Sequence, residues 1–286
     1  WKSDTSSDEV VGRFFGFSVF YDVCGGEKEK ERIRNSVART MDYIIENDYY
    51  LLDIDGKPTT WGKWNPEFFK TEGKFQKNLN SLEILSFLKT AHYMTGEKRF
   101  FDAYAYLIKE HGYAHNAVNA KIDQPSIMNH SDDLLAFLSY YPLLKYETHP
   151  KLREDYFLKS IRRTWRVVRE KKNPLWNFIY GSAVGDGEEF GLEGAVYTLK
   201  RLPPDLVYWK VKNSHRADIE ISKYKTFRRD EKLSVSPLPP DERFMLKFNE
   251  NPYRLDGYWN GNNAEAPTFW MLPYWMGRYH GFIGSP

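Results

Sequence analysis

Two textures alternate along this chain. In one, a short polar tip leads into a segment that is apolar nearly all round: Ser6-Ser7-Asp8-Glu9 before Val10–Phe17, Asn80-Ser81-Leu82-Glu83 before Ile84–Leu88, and Asn129-His130-Ser131-Asp132-Asp133 before Leu134–Tyr141. A looser fourth copy is Asn262-Asn263-Ala264-Glu265 before the aromatic run Phe269–Tyr279. In the other texture, apolar residues recur every three or four positions among Lys, Arg and Glu, the spacing of an amphipathic helix. It holds over Glu27–Asn47 through Ile33, Val37 and Met41, over Lys98–Glu110 through Phe101, Tyr104 and Ile108, and over Lys151–Glu170 through Leu152, Ile161, Trp165 and Val168. The pattern predicts buried helices at Asp8–Tyr21, Ser81–Met94 and Ser131–Tyr146, each followed by an amphipathic partner: three helical hairpins, each with an inner and an outer member.

Between the first two hairpins, the run from Tyr49 to Ile54, the turn at Asp55-Gly56 and the segment Lys57–Trp64 predict a β-hairpin inserted near 49–64. Asp53-Ile54-Asp55-Gly56 begins like a calcium loop, but Trp64 stands where that loop needs its bidentate Glu, so turn chemistry accounts for it. Beyond Asn173-Pro174 the pattern predicts a short apolar piece at Leu175–Tyr180, a Gly-rich loop from Gly181 to Gly187, a helix over Leu192–Arg201, and continued helix over Asp205–Tyr224. The stretch 234–263, rich in Pro, Asn and Gly, is expected to be a long ordered loop. No low-complexity linker divides the chain of 286 residues, which is read as a single domain, 1–286.

Composition narrows the function classes. A net charge of +2, with Lys and Arg spread along the chain, argues against a nucleic-acid partner. No apolar run approaches the roughly 20 residues of a membrane span. Cys24 is the single cysteine, which excludes an internal disulfide and a cysteine metal cluster. The abrupt opening at Trp1 leads to the expectation of a trimmed form in the periplasm or outside the cell, its export signal removed. The 9 Trp, 20 Tyr and 19 Phe supply material both for a core and for stacking on a flat ligand.

Successive helical hairpins with apolar inner members describe an all-α fold, an (α/α) toroid, and the irregular spacing of the tips disfavours a solenoid of fixed period. On Ser6-Ser7-Asp8-Glu9, Asn80-Ser81-Leu82-Glu83, His130-Ser131-Asp132-Asp133 and the Trp-rich connections, the chain resembles the six-hairpin glycosidase-like superfamily of carbohydrate-active enzymes. A complete ring normally needs a longer chain, so the resemblance implies a shortened or incomplete ring, a carbohydrate substrate, and catalysis at the mouth formed by the inner-helix starts.

Ser6-x-x-Glu9, Asn80-x-x-Glu83 and Asn262-x-x-Glu265 fit capping boxes, and His130-x-x-Asp133 fits the same frame less well. Capping does not require a second adjacent acid, which only Asp8 and Asp132 provide. The expected catalytic residues are therefore Asp132 and Asp8, with Asp133, Glu9 and His130 beside them, one carboxyl kept protonated by burial and a like-charged neighbour and one kept ionised. Trp61, Trp64, Trp176, Tyr258 and Trp259 stand in expected loops or element ends and suit sugar rings, with His215, Arg216, Arg254 and Glu265 as polar binding residues. No metal site and no cofactor is expected, since no His-Glu-x-x-His, Gly-x-Ser-x-Gly or phosphate-binding Gly-rich motif occurs. The reading is a glycoside hydrolase using carboxylate general acid/base catalysis. A polysaccharide lyase acting on uronates, with His or Tyr as base and Arg neutralising the carboxylate, and a non-catalytic glycan-binding module are the alternatives.

Overall fold

The structure is a computed structural model that describes residues 3–121, 129–185, 187–223 and 231–284. It is predominantly helical with one small antiparallel two-stranded sheet. The chain forms two compact units: Trp1–Lys121 with Leu135–Arg163, and Ile122–Leu134 with Thr164–Pro286.

In the first unit, α1 (Ser7–Val23) opens on a true capping box, in which Glu9 accepts from the Ser6 amide at 2.8 Å and from the Ser6 hydroxyl at 2.6 Å. The amphipathic α2 (Glu27–Glu46) buries Ile33, Val37, Met41 and Ile44. β1 (Tyr50–Leu52) and β2 (Pro58–Lys63) form the inserted hairpin, as its turn chemistry predicts. The short α3 (Pro66–Lys70) is capped by Asn65, whose side chain accepts from the amides of Glu67 and Phe68. α4 (Lys77–Thr95) is the innermost element, buried without a break from Leu79 to Ala91. It ends on Gly96 at φ 71°, a left-handed stop that lets the chain reverse into α5 (Lys98–His111). α6 (Tyr113–Ala117) follows, and α7 (His130–Tyr146) contributes its body from Leu135 onward.

α4 begins one turn earlier than its apolar pattern suggests, so Asn80 and Glu83 are interior residues and not a cap. The helix starts at Lys77 because the turn Gly73–Gln76 already supplies helical hydrogen bonds, Lys77 N and Asn80 N donating to Gly73 O and Gln76 O. Glu83, fully buried, instead accepts from the Trp64 indole at 2.9 Å, and the Trp64 carbonyl accepts from the Tyr113 hydroxyl at 2.6 Å. Phe87 packs against Phe14 and Trp64 with ring centroids at 4.7 and 5.6 Å. A second buried polar group joins Lys89, Glu147 and Tyr104: the ammonium stands 3.1 Å from the carboxylate, which also accepts from the phenol at 2.5 Å.

The expected outer helix over Lys151–Glu170 is interrupted. α8 (Pro150–Leu152) passes through a π-turn at Arg153–Leu158 into α9 (Lys159–Val168), which tightens into a 3₁₀ turn at Arg169–Lys171 and stops at Lys172, φ 51°. In the second unit α10 (Pro174–Val184) is nearly all buried and runs through Gly181, further than its apolar piece suggests, and packs with α11 (Leu192–Arg201) and α12 (Thr268–Tyr279). Trp165 stacks on Tyr180 at 4.3 Å and donates its indole N–H to Asn177.

The expectation of helix over Asp205–Tyr224 fails for the described part of that stretch. After Pro203-Pro204 the backbone pairs with distant segments through isolated bridges, Val207 with Ala264, Lys212 with Asp256 and Ile221 with Ser234. Asp256 takes the amides of Asn213 and Ser214 at 3.0 Å each, and those amides would otherwise have to serve the helix.

Candidate functional site

The second unit gathers its buried charge at the start of α7. Asn129 precedes the helix; its Oδ1 accepts from the Ser131 amide at 3.3 Å and its Nδ2 donates to Asp132 Oδ1 at 2.8 Å. Asp132 is half-buried and engaged in this local turn. The next acid, Asp133, is fully buried, as is His130 beside it.

Lys171, delivered by the 3₁₀ turn and itself only 2% exposed, places its ammonium 2.8 Å from Asp133 Oδ2 and 2.5 Å from His130 Nδ1. His130 Nδ1 lies 3.1 Å from the same Asp133 oxygen. The ammonium also sits 5.0 Å from the centre of the Trp176 ring. Burial alone would raise the Asp133 pKa, but Lys171 and His130 outweigh it and hold the carboxyl below its usual range. Burial, then Lys171, pushes His130 down against the pull of Asp133, so the ring is neutral. Nδ1 thus stands within hydrogen-bond distance of both the Lys171 ammonium and Asp133 Oδ2. Asp133 Oδ1 has no hydrogen-bond partner among the described residues.

A second chain segment closes on this cluster. Asn249 donates to the Ser131 hydroxyl at 3.2 Å, and Asn173, the cap of α10, donates to the Phe248 carbonyl at 3.2 Å. Beside the Asn173–Phe248 contact lies a small cavity of about 30 Å³, large enough for one or two waters, lined by Lys171, Arg243, Lys247, Phe248 and Glu250 among others. Burial raises the Glu250 pKa against the opposing pull of Lys247 and Arg254. Burial lowers the Arg243 pKa to about 10, leaving it a cation at neutral pH.

The other sequence candidates fall in several places. Asp8 is exposed in the first turn of α1, and Glu9 beside it is the capping acid. Glu9 also lines a first-unit cleft of about 540 Å³ with Arg13, Arg39 and Tyr43. Trp61 is 48% exposed on β2, whereas Trp64 and Trp176 are core residues at 0% and 1% and offer no open face. In the second unit, His215 is exposed and Arg216 bridges Asp218 and Glu242. Arg254 pairs with Glu231 at 2.9 Å and lies over the Phe244 ring. Tyr258 is 61% exposed next to half-buried Trp259, which packs on Tyr208. Glu265 stands three residues before α12, outside any capping box, because its amide is spent on the Leu206 carbonyl; burial raises its pKa.

Lys171, Glu250 and Arg243 escape the sequence reading. Lys171 sits in the charge run Arg169-Glu170-Lys171-Lys172, which reads as a solvated face, and Glu250 in a polar loop; the one local signal is Asn173-Pro174, which ends the helix and turns Lys171 inward. Among the described residues no group of His, Cys, Asp and Glu has the arrangement of a metal site, and no helix is long and apolar enough to cross a membrane. Comparison of the chain with family models, with curated proteins and with solved structures gives no match.

Proposed function

We propose that this protein is a glycoside hydrolase working by carboxylate general acid/base catalysis on a scaffold of helical hairpins, an (α/α) toroid in shortened or incomplete form. The observation that carries the reading is the position of Lys171, which holds Asp133 ionised from 2.8 Å and lines a water-sized cavity with Glu250, whose pKa burial pushes the other way. Carboxyls driven apart in pKa are what glycoside hydrolysis requires, and Lys171 is the residue that pairs with Asp133 and shares a cavity wall with Glu250. Glu250, protonated, would donate to the leaving oxygen, and Asp133 Oδ1 would take the proton from the attacking water. In this reading Glu250 and Asp133 take the roles expected of Asp132 and Asp8, since Asp132 is tied to Asn129 and Asp8 is exposed in the first turn of α1. Exposed Tyr258 and Trp259 next to it offer ring faces for sugar.

A second reading, elimination on a uronate, is favoured by the neutral state of His130. Its Nδ1 is occupied between Lys171 and Asp133, however, and the ring is buried, which keeps it from a substrate proton. The test is mass spectrometry of the products from a panel of neutral and acidic glycans. Products that have gained water support hydrolysis, unsaturated products support elimination, and no product from any glycan supports the binding module.

A further inference from the structure

Helix α4 breaks a rule of helix design at its first residue. The positive end of a helix favours acids, yet its first turn carries none, and Lys77 stands at its first position, three residues after Lys74. Neither lysine has an ion-pair partner among the described residues, whereas the nearby Lys70 is held by Glu67 at 2.6 Å. Cationic charge added to a positive helix end is unfavourable unless something negative joins it, and such local conflicts concentrate at functional sites.

All three lysines open onto one pocket of about 460 Å³ in the first unit, between α3, the start of α4 and the α5–α6 corner. No acid is among its lining residues. Part of the remaining wall is apolar and fixed: Phe69 and Tyr113 are buried with ring centroids 5.5 Å apart, and the Tyr113 hydroxyl is anchored on the Trp64 carbonyl. His111, packed edge-on against Tyr106, also lines it, and its Nε2 has no hydrogen-bond partner among the described residues.

We infer that this pocket binds a sugar bearing an oxyanion, with Lys74 and Lys77 on the anionic group and the sugar hydroxyls facing His111 and Asn116. The volume suits a ligand of one or two sugar rings. The site extends the carbohydrate reading above to acidic glycans and lies in the unit that does not hold Glu250.

The experiment is calorimetric titration of the Glu250→Gln protein, so that binding is read without turnover, with glucuronic acid, glucose 6-sulfate, glucose 6-phosphate, glucose and inorganic phosphate. At least one anionic sugar is expected to bind about tenfold or more tighter than glucose, as charge-assisted contacts imply, and to weaken with added salt. Which of the three binds best names the oxyanion. The double variant Lys74→Glu/Lys77→Glu should lose that preference. Acids at a helix start favour the helix, so a circular dichroism spectrum like the parent's and a melting point no lower than it are expected. Equal affinity for glucose and the anionic sugars, an unchanged preference in the double variant, or inorganic phosphate binding as tightly as every sugar anion would each overturn the site. Anionic-sugar binding lost in the double variant, in a protein whose wild type cleaves no glycan, would keep this site and remove the hydrolase reading.

Discussion

Lys171 and Asp133 meet 2.8 Å apart with side chains 3% and 0% exposed, so each charge exists in the folded protein only because the other does. Removing the lysine leaves an uncompensated buried carboxylate. Lys171→Met should therefore destabilise the protein by about 3–5 kcal/mol, and Lys171→Met with Asp133→Leu should cost less than Lys171→Met alone. Urea unfolding of the three proteins measures this; a double variant no more stable than Lys171→Met would show that the pair does not act as one unit.

The same cluster sets a pH dependence. Asp133 has a folded pKa below its unfolded value, so its contribution is present above about pH 4 and lost as pH falls through the folded value. His130 is also depressed, so the fold binds its proton less readily than the unfolded chain, and stability falls as pH drops below about 6.5. Both act in the same direction. The melting temperature should decline from pH 7 to pH 4, and His130→Gln should flatten the part of the decline between pH 6.5 and 5. An unchanged slope in that window would contradict the assignment of a neutral His130.

In the first unit, Trp64 and Glu83 form a buried pair of the same kind. Trp64→Phe removes the indole donor from Glu83 Oε2 and takes that hydrogen bond from a buried carboxylate. A loss of about 2–3 kcal/mol is expected from that desolvation. Chemical denaturation of Trp64→Phe beside Trp61→Phe, at a half-exposed position, separates this from the general effect of losing an indole.

Helix and strand positions were largely legible in the alternation of apolar and amphipathic segments: α1, α2, the hairpin of β1 and β2, α5 and α7 lie within a few residues of their patterns. Where the reading failed, a tertiary partner outweighed the local signal. Glu83 sits at a capping spacing yet serves Trp64, because the helix begins a turn earlier. Asp205–Tyr224 has helical composition, but Asp256 and the bridges from the 254–264 segment claim its backbone. The site was half legible. The tip holding His130 and Asp133 stands out in sequence, while Lys171 and Glu250 come from a charge run and a polar loop 38 and 117 positions away, since 171 − 133 = 38 and 250 − 133 = 117. No periodicity carries information over such separations.

Glu250 carries the proposed chemistry. Glu250→Gln should lower kcat by about 10²–10⁴, the usual worth of a general acid, with KM little changed. The high-pH limb of the wild-type rate profile should lie above the ordinary Glu range, since burial raises this carboxyl and activity is lost as it deprotonates. A limb at the ordinary Glu value would assign the acid to another residue.

The most direct measurement is the mass of the products released from neutral and acidic oligosaccharides by the wild type and by Glu250→Gln. Hydrolysis by this site predicts fragments heavier by one water from the wild type and almost none from the variant. Unsaturated fragments, or water-gained fragments formed equally fast by Glu250→Gln, would contradict it.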